Sequence, residues 1–133
     1  TVNDLEGIML PAIKEAAQEI AAAYGAQVEI HHYEPLFKDM RQDKRLLDLF
    51  KDVMTEFGET PRILPDDEAD GSTDVGNVSY EVPTAQPTLQ IGLGLEAHTP
   101  EFTCAAGSDY GLAQAIKGAK IMAVVALRYA MCK

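Results

Sequence analysis

The chain has few basic residues, few aromatic residues and no tryptophan. Its 133 residues include 11 Lys and Arg against 21 Asp and Glu, a formal net charge of −10. Because nucleic-acid binding depends on Lys and Arg that displace counterions from phosphates, this balance argues against a nucleic-acid partner. Cysteine is scarce too, since only Cys104 and Cys132 occur and they lie far apart. We expect both to be free thiols in a reducing compartment, with neither zinc-ligand nor redox-pair spacing.

Long apolar runs are also missing from the sequence. The longest candidate, residues 121–127, is much shorter than the roughly 18–20 residues that span a bilayer, and Arg128 follows it. No basic and then apolar leader stands at the start. We therefore expect a cytoplasmic protein without a membrane partner. The densest acidic run, residues 66–70, lacks the alternation of a calcium loop and is expected to be a solvated loop.

Periodicity predicts three helices and two strands. Helical spacing of apolar residues indicates helices over about 4–24, 43–57 and 108–131, and Pro11 is expected to kink or restart the first one. The last helix is apolar on nearly every face over 121–127, so we expect it to be wedged between other elements. Alternation predicts strands over 27–33 and 88–93. Two strands are too few for a stable sheet, so the sequence predicts part of a larger α/β protein, and a start at Thr1 within a helical pattern fits a segment of a longer chain.

A polar, glycine-containing stretch, GSTDVGNVSY at 71–80, precedes the second strand, and a loop with His98 follows it. In open α/β sheets functional groups gather beyond the carboxyl ends of strands, which is where His98 falls. Glu96 or Glu101 could orient an imidazole there on a metal, while the alternative is a histidine of an ordinary surface loop. Asp74 either caps a short helix that starts near Val75 or binds a ligand, and its spacing favours the cap.

Other signatures of chemistry are missing from the sequence. His31 and His32 adjoin on a predicted strand and face opposite sides, so they cannot chelate one ion together. The sequence has neither a phosphate loop with a GK[ST] ending nor a GxSxG elbow. Their absence leaves the 71–76 stretch and His98 as the candidates for a site.

The stretches GSTDVGNVSYEVPTAQPTLQIG and EAHTPEF, followed by a long apolar helix, resemble the C-terminal end of the co-catalytic metallopeptidase and amidohydrolase family, which includes aminoacylase and carboxypeptidase G. Within it the chain looks most like the p-aminobenzoyl-glutamate hydrolase and β-alanyl-lysine dipeptidase branch. The match is dense over 71–133 and looser over 2–33. The resemblance implies an α/β fold, in which 1–35 is the last helix and strand of an α+β lid (dimerisation) domain and 36–133 is the C-terminal part of the catalytic domain.

The same resemblance implies roles for individual residues. The histidine of the HTPEF-like block is a metal ligand in the family, which corresponds to His98, and the GSTD block lines the substrate side, which corresponds to Gly71, Ser72, Thr73 and Asp74. The implied cofactors are two divalent metal ions, such as zinc, manganese, cobalt or nickel. A neutral imidazole suits these metals, and the glycines of the 71–76 loop let backbone amides approach a substrate closely.

The family's other metal ligands and its general base have no counterpart in this sequence. We therefore expect the chain to be inactive alone and to need the missing N-terminal part of the same protein, with a homodimer possible through the lid. The expected reaction is hydrolysis of an amide bond in an N-acyl amino acid, aminobenzoyl-glutamate or dipeptide-like substrate by metal-activated water. A non-catalytic binding module derived from that fold is the alternative.

Overall fold

The computed structural model describes residues 4–64 and 71–131. The acidic run 66–70 and Cys132 lie outside the described residues. The chain divides into two compact units, Thr1–Arg41 with Asp70–Val82 and Gln42–Ala69 with Pro83–Lys133. Each unit is described by itself.

The first unit begins with a π-helical turn, Leu5–Met9, that leads directly into helix α1, Leu10–Ala23. Pro11 lies in the first turn of α1, which confirms that the helix restarts around this proline. Proline has no N–H to donate to the preceding turn. The chain forms a wider π-helical turn before it, in which the Leu10 N–H donates to the Leu5 carbonyl. Gly25 follows the end of the helix with φ of 65°, a left-handed conformation typical of glycine at a helix C-terminus.

The second unit is built on helix α2, Lys44–Glu56. Asp43 is its N-cap, and its carboxylate accepts a hydrogen bond of 2.8 Å from the Leu46 N–H. The Asp43 N–H donates in turn to the carbonyl of the buried Thr84 at 2.8 Å. Gly58, with φ of 82°, follows the end of the helix. The predicted helix over about 43–57 is confirmed.

Three further helices complete the described elements. Helix α3, Val75–Val78, belongs to the first unit, and helices α4, Pro100–Ala106, and α5, Asp109–Met131, belong to the second. The Ser108 hydroxyl accepts from the Gly111 N–H at 3.1 Å, so Ser108 caps the last helix, and the predicted helix over 108–131 is confirmed. Helix α5 packs across α2, and the core between them consists of Val53, Met54, Ile121 and Val125.

Within its unit helix α5 packs against α2 and α4, but the described residues do not surround it on nearly every face, so its expected position between other elements stays a prediction for the larger protein. Of its buried positions, Ile121 and Val125 pack in the core with α2. Gly111 lies against the Ala105 and Ala106 carbonyls of α4, and the Gln114 amide donates to the Gln90 carbonyl. The large apolar residues elsewhere on it are more than half exposed; they are Leu112, Ile116, Met122, Leu127 and Met131. Among the described residues, α5 is the one helix that is long and apolar enough to cross a membrane. This test uses length and composition only, and core helices of soluble proteins also pass it.

The described residues contain no β-strand. Both segments predicted as strands, 27–33 and 88–93, lie outside regular secondary structure. A strand requires backbone hydrogen bonds to a neighbouring strand, and each unit holds only one of the two segments, so neither has a partner within its own unit. The α/β architecture therefore stays a prediction.

Candidate functional site

His98 occupies an unusual backbone position immediately before helix α4. Its φ is 65°, a left-handed conformation that costs a residue with a Cβ on the order of 1 kcal/mol. Residues held in such conformations cluster at ligand and catalytic sites. The His98 side chain is exposed, so its imidazole is accessible to a ligand.

The residue after His98 fixes this turn. The Thr99 hydroxyl accepts from the Phe102 N–H at 3.2 Å and donates to the Glu96 carbonyl at 2.8 Å. Pro100 follows in the first turn of α4, where a missing N–H costs nothing. A loop is predicted here from the sequence, although Thr-Pro-Glu is a typical helix start, with a cap, a proline and an acidic residue. The turn thus holds the backbone on both sides of His98.

The predicted partners of the His98 imidazole do not contact it in this structure. No hydrogen bond joins His98 to Glu96 or Glu101, both of which are exposed. Cys104 is an exposed free thiol on α4. In residues 4–64 and 71–131 no group of three His, Cys, Asp or Glu side chains is placed to hold a metal ion, so His98 is a single donor here.

The predicted substrate-side residues, Gly71 to Asp74, form an open turn before helix α3. Gly71 has φ of 144°, a conformation that glycine adopts readily. The Thr73 hydroxyl accepts from the Val75 N–H at 3.3 Å, while Gly71, Ser72 and Asp74 are exposed. The short helix near Val75 is confirmed, but the Asp74 side chain makes no capping hydrogen bond. The Thr73 hydroxyl accepts the hydrogen bond at the start of this helix instead, so the Asp74 carboxylate does not cap it.

Helix α3 is tied to the segment 36–41 by Asn77. The Lys38 N–H donates to the Asn77 carbonyl oxygen at 2.7 Å, and the Asn77 amide donates to the Leu36 carbonyl at 3.0 Å. Gly76 is buried against the Lys38 carbonyl so closely that a Cβ at this position would overlap the oxygen. We call these contacts, with those of Ser79 and Tyr80 described next, the junction between 36–41 and 76–80.

The other half of the junction is polar and cationic. The Arg41 N–H donates to the Ser79 hydroxyl at 2.9 Å, and the Tyr80 hydroxyl donates to the Asp39 carboxylate at 2.7 Å. The Arg41 guanidinium lies 3.7 Å from the centroid of the Tyr80 ring, a distance typical of a cation–π contact. The hydrogen bond to Asp39 raises the pKa of the Tyr80 hydroxyl above its usual value.

The structure places the predicted site residues in different units. Gly71 to Asp74 belong to the first unit and His98 to the second. Residues 36–41 also fall in the first unit, because the junction binds them to 76–80, and this division differs from the predicted boundary after residue 35. The predicted lid and catalytic domains themselves stay a prediction.

The second unit also contains a cavity that the sequence did not predict. It measures about 450 Å³ and lies between α2, α5 and the segment 85–91, with Phe50, Met54, Leu89 and Ile121 among its apolar lining. The Gln114 side chain lines it too, and its amide donates to the Gln90 carbonyl at 3.0 Å. His98 does not line this cavity, so it is separate from the histidine turn.

Comparison with known proteins gives a short similarity to peptidases. The Xaa-Arg dipeptidases of Mus musculus and Homo sapiens are each 44% identical to the chain over 57 residues, which is 43% of the chain. The match covers 13% of each dipeptidase, so the chain spans only a small part of the length of these relatives. No family model and no solved structure matches the chain. The similarity suggests a hydrolase of the peptidase type.

Proposed function

We propose that this sequence is part of a metal-dependent amidohydrolase or peptidase. Its substrate would be an N-acyl amino acid, aminobenzoyl-glutamate or a dipeptide-like molecule, and the bond cleaved would be the amide. The observation that carries the proposal is the 44% identity to two dipeptidases over 57 residues. The exposed, left-handed His98 supports it independently.

In this proposal His98 holds one of two divalent metal ions, of which zinc, manganese, cobalt and nickel all accept imidazole. Metal ions of this kind acidify a bound water so that it can attack an amide carbonyl. This chain would position the imidazole. The Thr99 hydroxyl bonds to the Glu96 carbonyl and the Phe102 N–H, and these bonds hold the backbone of His98 immediately before α4.

Gly71 to Asp74 would bind the substrate. The exposed Ser72 hydroxyl and Asp74 carboxylate offer hydrogen-bonding groups, and Gly71 leaves the backbone open to close approach. Because Asp74 makes no capping bond, its carboxylate can accept hydrogen bonds from a substrate without breaking helix α3.

The rest of the site would come from the remaining part of the same protein. That part would supply the other metal ligands and the general base, complete an α/β catalytic domain, and form most of a lid that pairs in a homodimer. We place the protein in the cytoplasm. On this proposal the 133 residues alone are inactive.

The test is the activity of the complete protein with alanyl-arginine, β-alanyl-lysine, p-aminobenzoyl-glutamate and an N-acetyl amino acid as probes. We expect hydrolysis of at least one of them and its loss on treatment with a chelator. His98→Ala is expected to lower kcat/KM by at least about a hundredfold, since a removed metal ligand costs several kcal/mol of charge stabilisation.

His32→Ala provides the matched control, because His32 is also an exposed histidine and is expected to be dispensable. An unchanged rate in His98→Ala would contradict the proposal. Binding of probes without any hydrolysis would favour the alternative, a non-catalytic module with the same fold.

A further inference from the structure

We propose that Asn77 is a positioning residue, which holds the loop Gly71–Asp74 in its substrate-binding conformation by anchoring it to residues 36–41. This inference rests on the proposed function of that loop. Its evidence is the junction, in which the polar groups of 76–80 are bonded to a segment about 40 residues earlier in the chain.

The Asn77 side chain bonds to this segment through both ends of its amide. Its carbonyl oxygen accepts from the Lys38 N–H, and its amide donates to the Leu36 carbonyl. One side chain thereby satisfies a donor and an acceptor of a segment that has no regular secondary structure. Both ends of the amide therefore bond to the same segment, which is the arrangement expected of an anchor.

Gly76 shows that the contact has little freedom. A methyl group at this position would overlap the Lys38 carbonyl oxygen, so helix α3 can lie against 36–41 only because residue 76 is glycine. The contact is therefore a close backbone approach, which Asn77 then secures by its two hydrogen bonds.

Ser79 and Tyr80 add further contacts between this part of the chain and residues 36–41. The Ser79 hydroxyl receives the Arg41 N–H, and the Tyr80 ring lies between the Asp39 carboxylate at its hydroxyl and the Arg41 guanidinium at its face. Residues 76–80 are thus bonded at both ends of the 36–41 segment.

The loop Gly71–Asp74 lies immediately before this anchor. Its own residues are mostly exposed, and its one side-chain bond is the 3.3 Å contact between Thr73 and Val75. Immobilising a flexible loop on binding costs conformational entropy. An anchor that begins two residues later reduces this cost, so loosening it should weaken substrate binding rather than the chemical step.

The experiment compares Asn77→Ala with Gln18→Ala in the complete protein. Gln18 is an exposed amide residue on α1 outside the junction. With whichever of the four probes the wild type hydrolyses, we expect Asn77→Ala to raise KM about tenfold, the equivalent of losing two hydrogen bonds. The kcat is expected to stay within about twofold of wild type, with the metal content unchanged.

Tyr80→Phe provides a milder variant in case Asn77→Ala folds poorly. It keeps the ring and its cation contact but loses the bond to Asp39, and we expect KM to rise about threefold. A purely structural role would lower the active fraction and hence the apparent kcat at unchanged KM. That result, or a wild-type KM in both variants, would overturn the inference.

Amide hydrogen exchange tests the anchor without any activity. In wild type the Lys38 and Arg41 amides are expected to exchange slowly, and Asn77→Ala should accelerate exchange at Lys38 about tenfold while Gln18→Ala does not. If the complete protein hydrolyses none of the probes, the proposed function fails, and faster exchange at Lys38 and over 71–74 still supports the anchor. Unchanged exchange there would overturn it.

Discussion

Glu59 links the chain after α2 to helix α5. Its carboxylate accepts from the Lys117 ammonium at 2.5 Å and from the Gln114 amide at 3.4 Å, at a half-buried position. The hydrogen bond from Lys117 is the main reason that the pKa of Glu59 lies below its usual value of 4.5. Since Gln114 also donates to Gln90, this small network joins three separate stretches of the second unit.

The sign of the Glu59 shift predicts a dependence of stability on pH. A carboxyl group whose pKa is lower in the folded state stabilises the fold above its unfolded pKa, and this contribution is lost as the pH falls through the folded pKa. We expect the free energy of unfolding to decrease on acidification from about pH 5 downwards, and Glu59→Gln to reduce that dependence.

Urea denaturation of the complete protein at a series of pH values measures the effect of Glu59→Gln. The matched control is Glu81→Gln, since Glu81 is exposed and makes no recorded side-chain bond. An equal pH dependence in wild type and Glu59→Gln would contradict the role of the Lys117 bond.

Helix α2 is well predicted from the sequence, and its contacts in the structure are also well defined. Its amphipathic stripe buries Val53 and Met54 against Ile121 and Val125 of α5, and its Asp43 cap satisfies the Leu46 N–H. Loss of an Asp cap typically costs about 1 kcal/mol. We therefore expect Asp43→Ala to lower the free energy of unfolding by about 1 kcal/mol.

Asp52→Ala is the control for the cap, because Asp52 is exposed on the same helix and lies away from its N-terminus. Thermal or chemical unfolding of both variants in the complete protein measures the difference. Equal stability of the two variants would show that the capping bond contributes nothing.

The elements differ in how far the sequence predicts them. Helices α1, α2 and α5 follow from the helical spacing of their apolar residues, and Pro11 marks the restart of α1. The two strand-like segments were predicted from alternation alone, but a strand exists only with a partner, which neither unit supplies. Helix α4 was missed although Thr99 and Pro100 carry its start signal.

The candidate site shows the same limit. His98 and the stretch 71–74 stood out because their residue types and order are distinctive in the sequence. The left-handed backbone of His98 was not predicted from the sequence. The pairing of Asn77 with Leu36 and Lys38 was not predictable, because it joins residues about 40 positions apart and no local pattern encodes it.

In the molecule as a whole, few large apolar side chains are buried and many are exposed. The described core is small, while many large apolar side chains of the π-helical turn, α1 and α5 are exposed; they include Ile8, Met9, Ile13, Ile20, Leu112, Ile116 and Leu127. Exposed apolar surface of this kind often marks contact with other protein. It is consistent with the proposal that further parts of the same protein complete the fold and the site.

If His98 holds a metal ion as proposed, its replacement must change the metal content of the complete protein. Elemental analysis of dialysed wild type and His98→Ala gives the number of divalent ions per chain, with His32→Ala as control. We predict about two ions per chain in wild type and in His32→Ala, from the two-metal chemistry, and a loss of at least one in His98→Ala. An equal metal content in all three proteins would show that His98 is not a metal ligand.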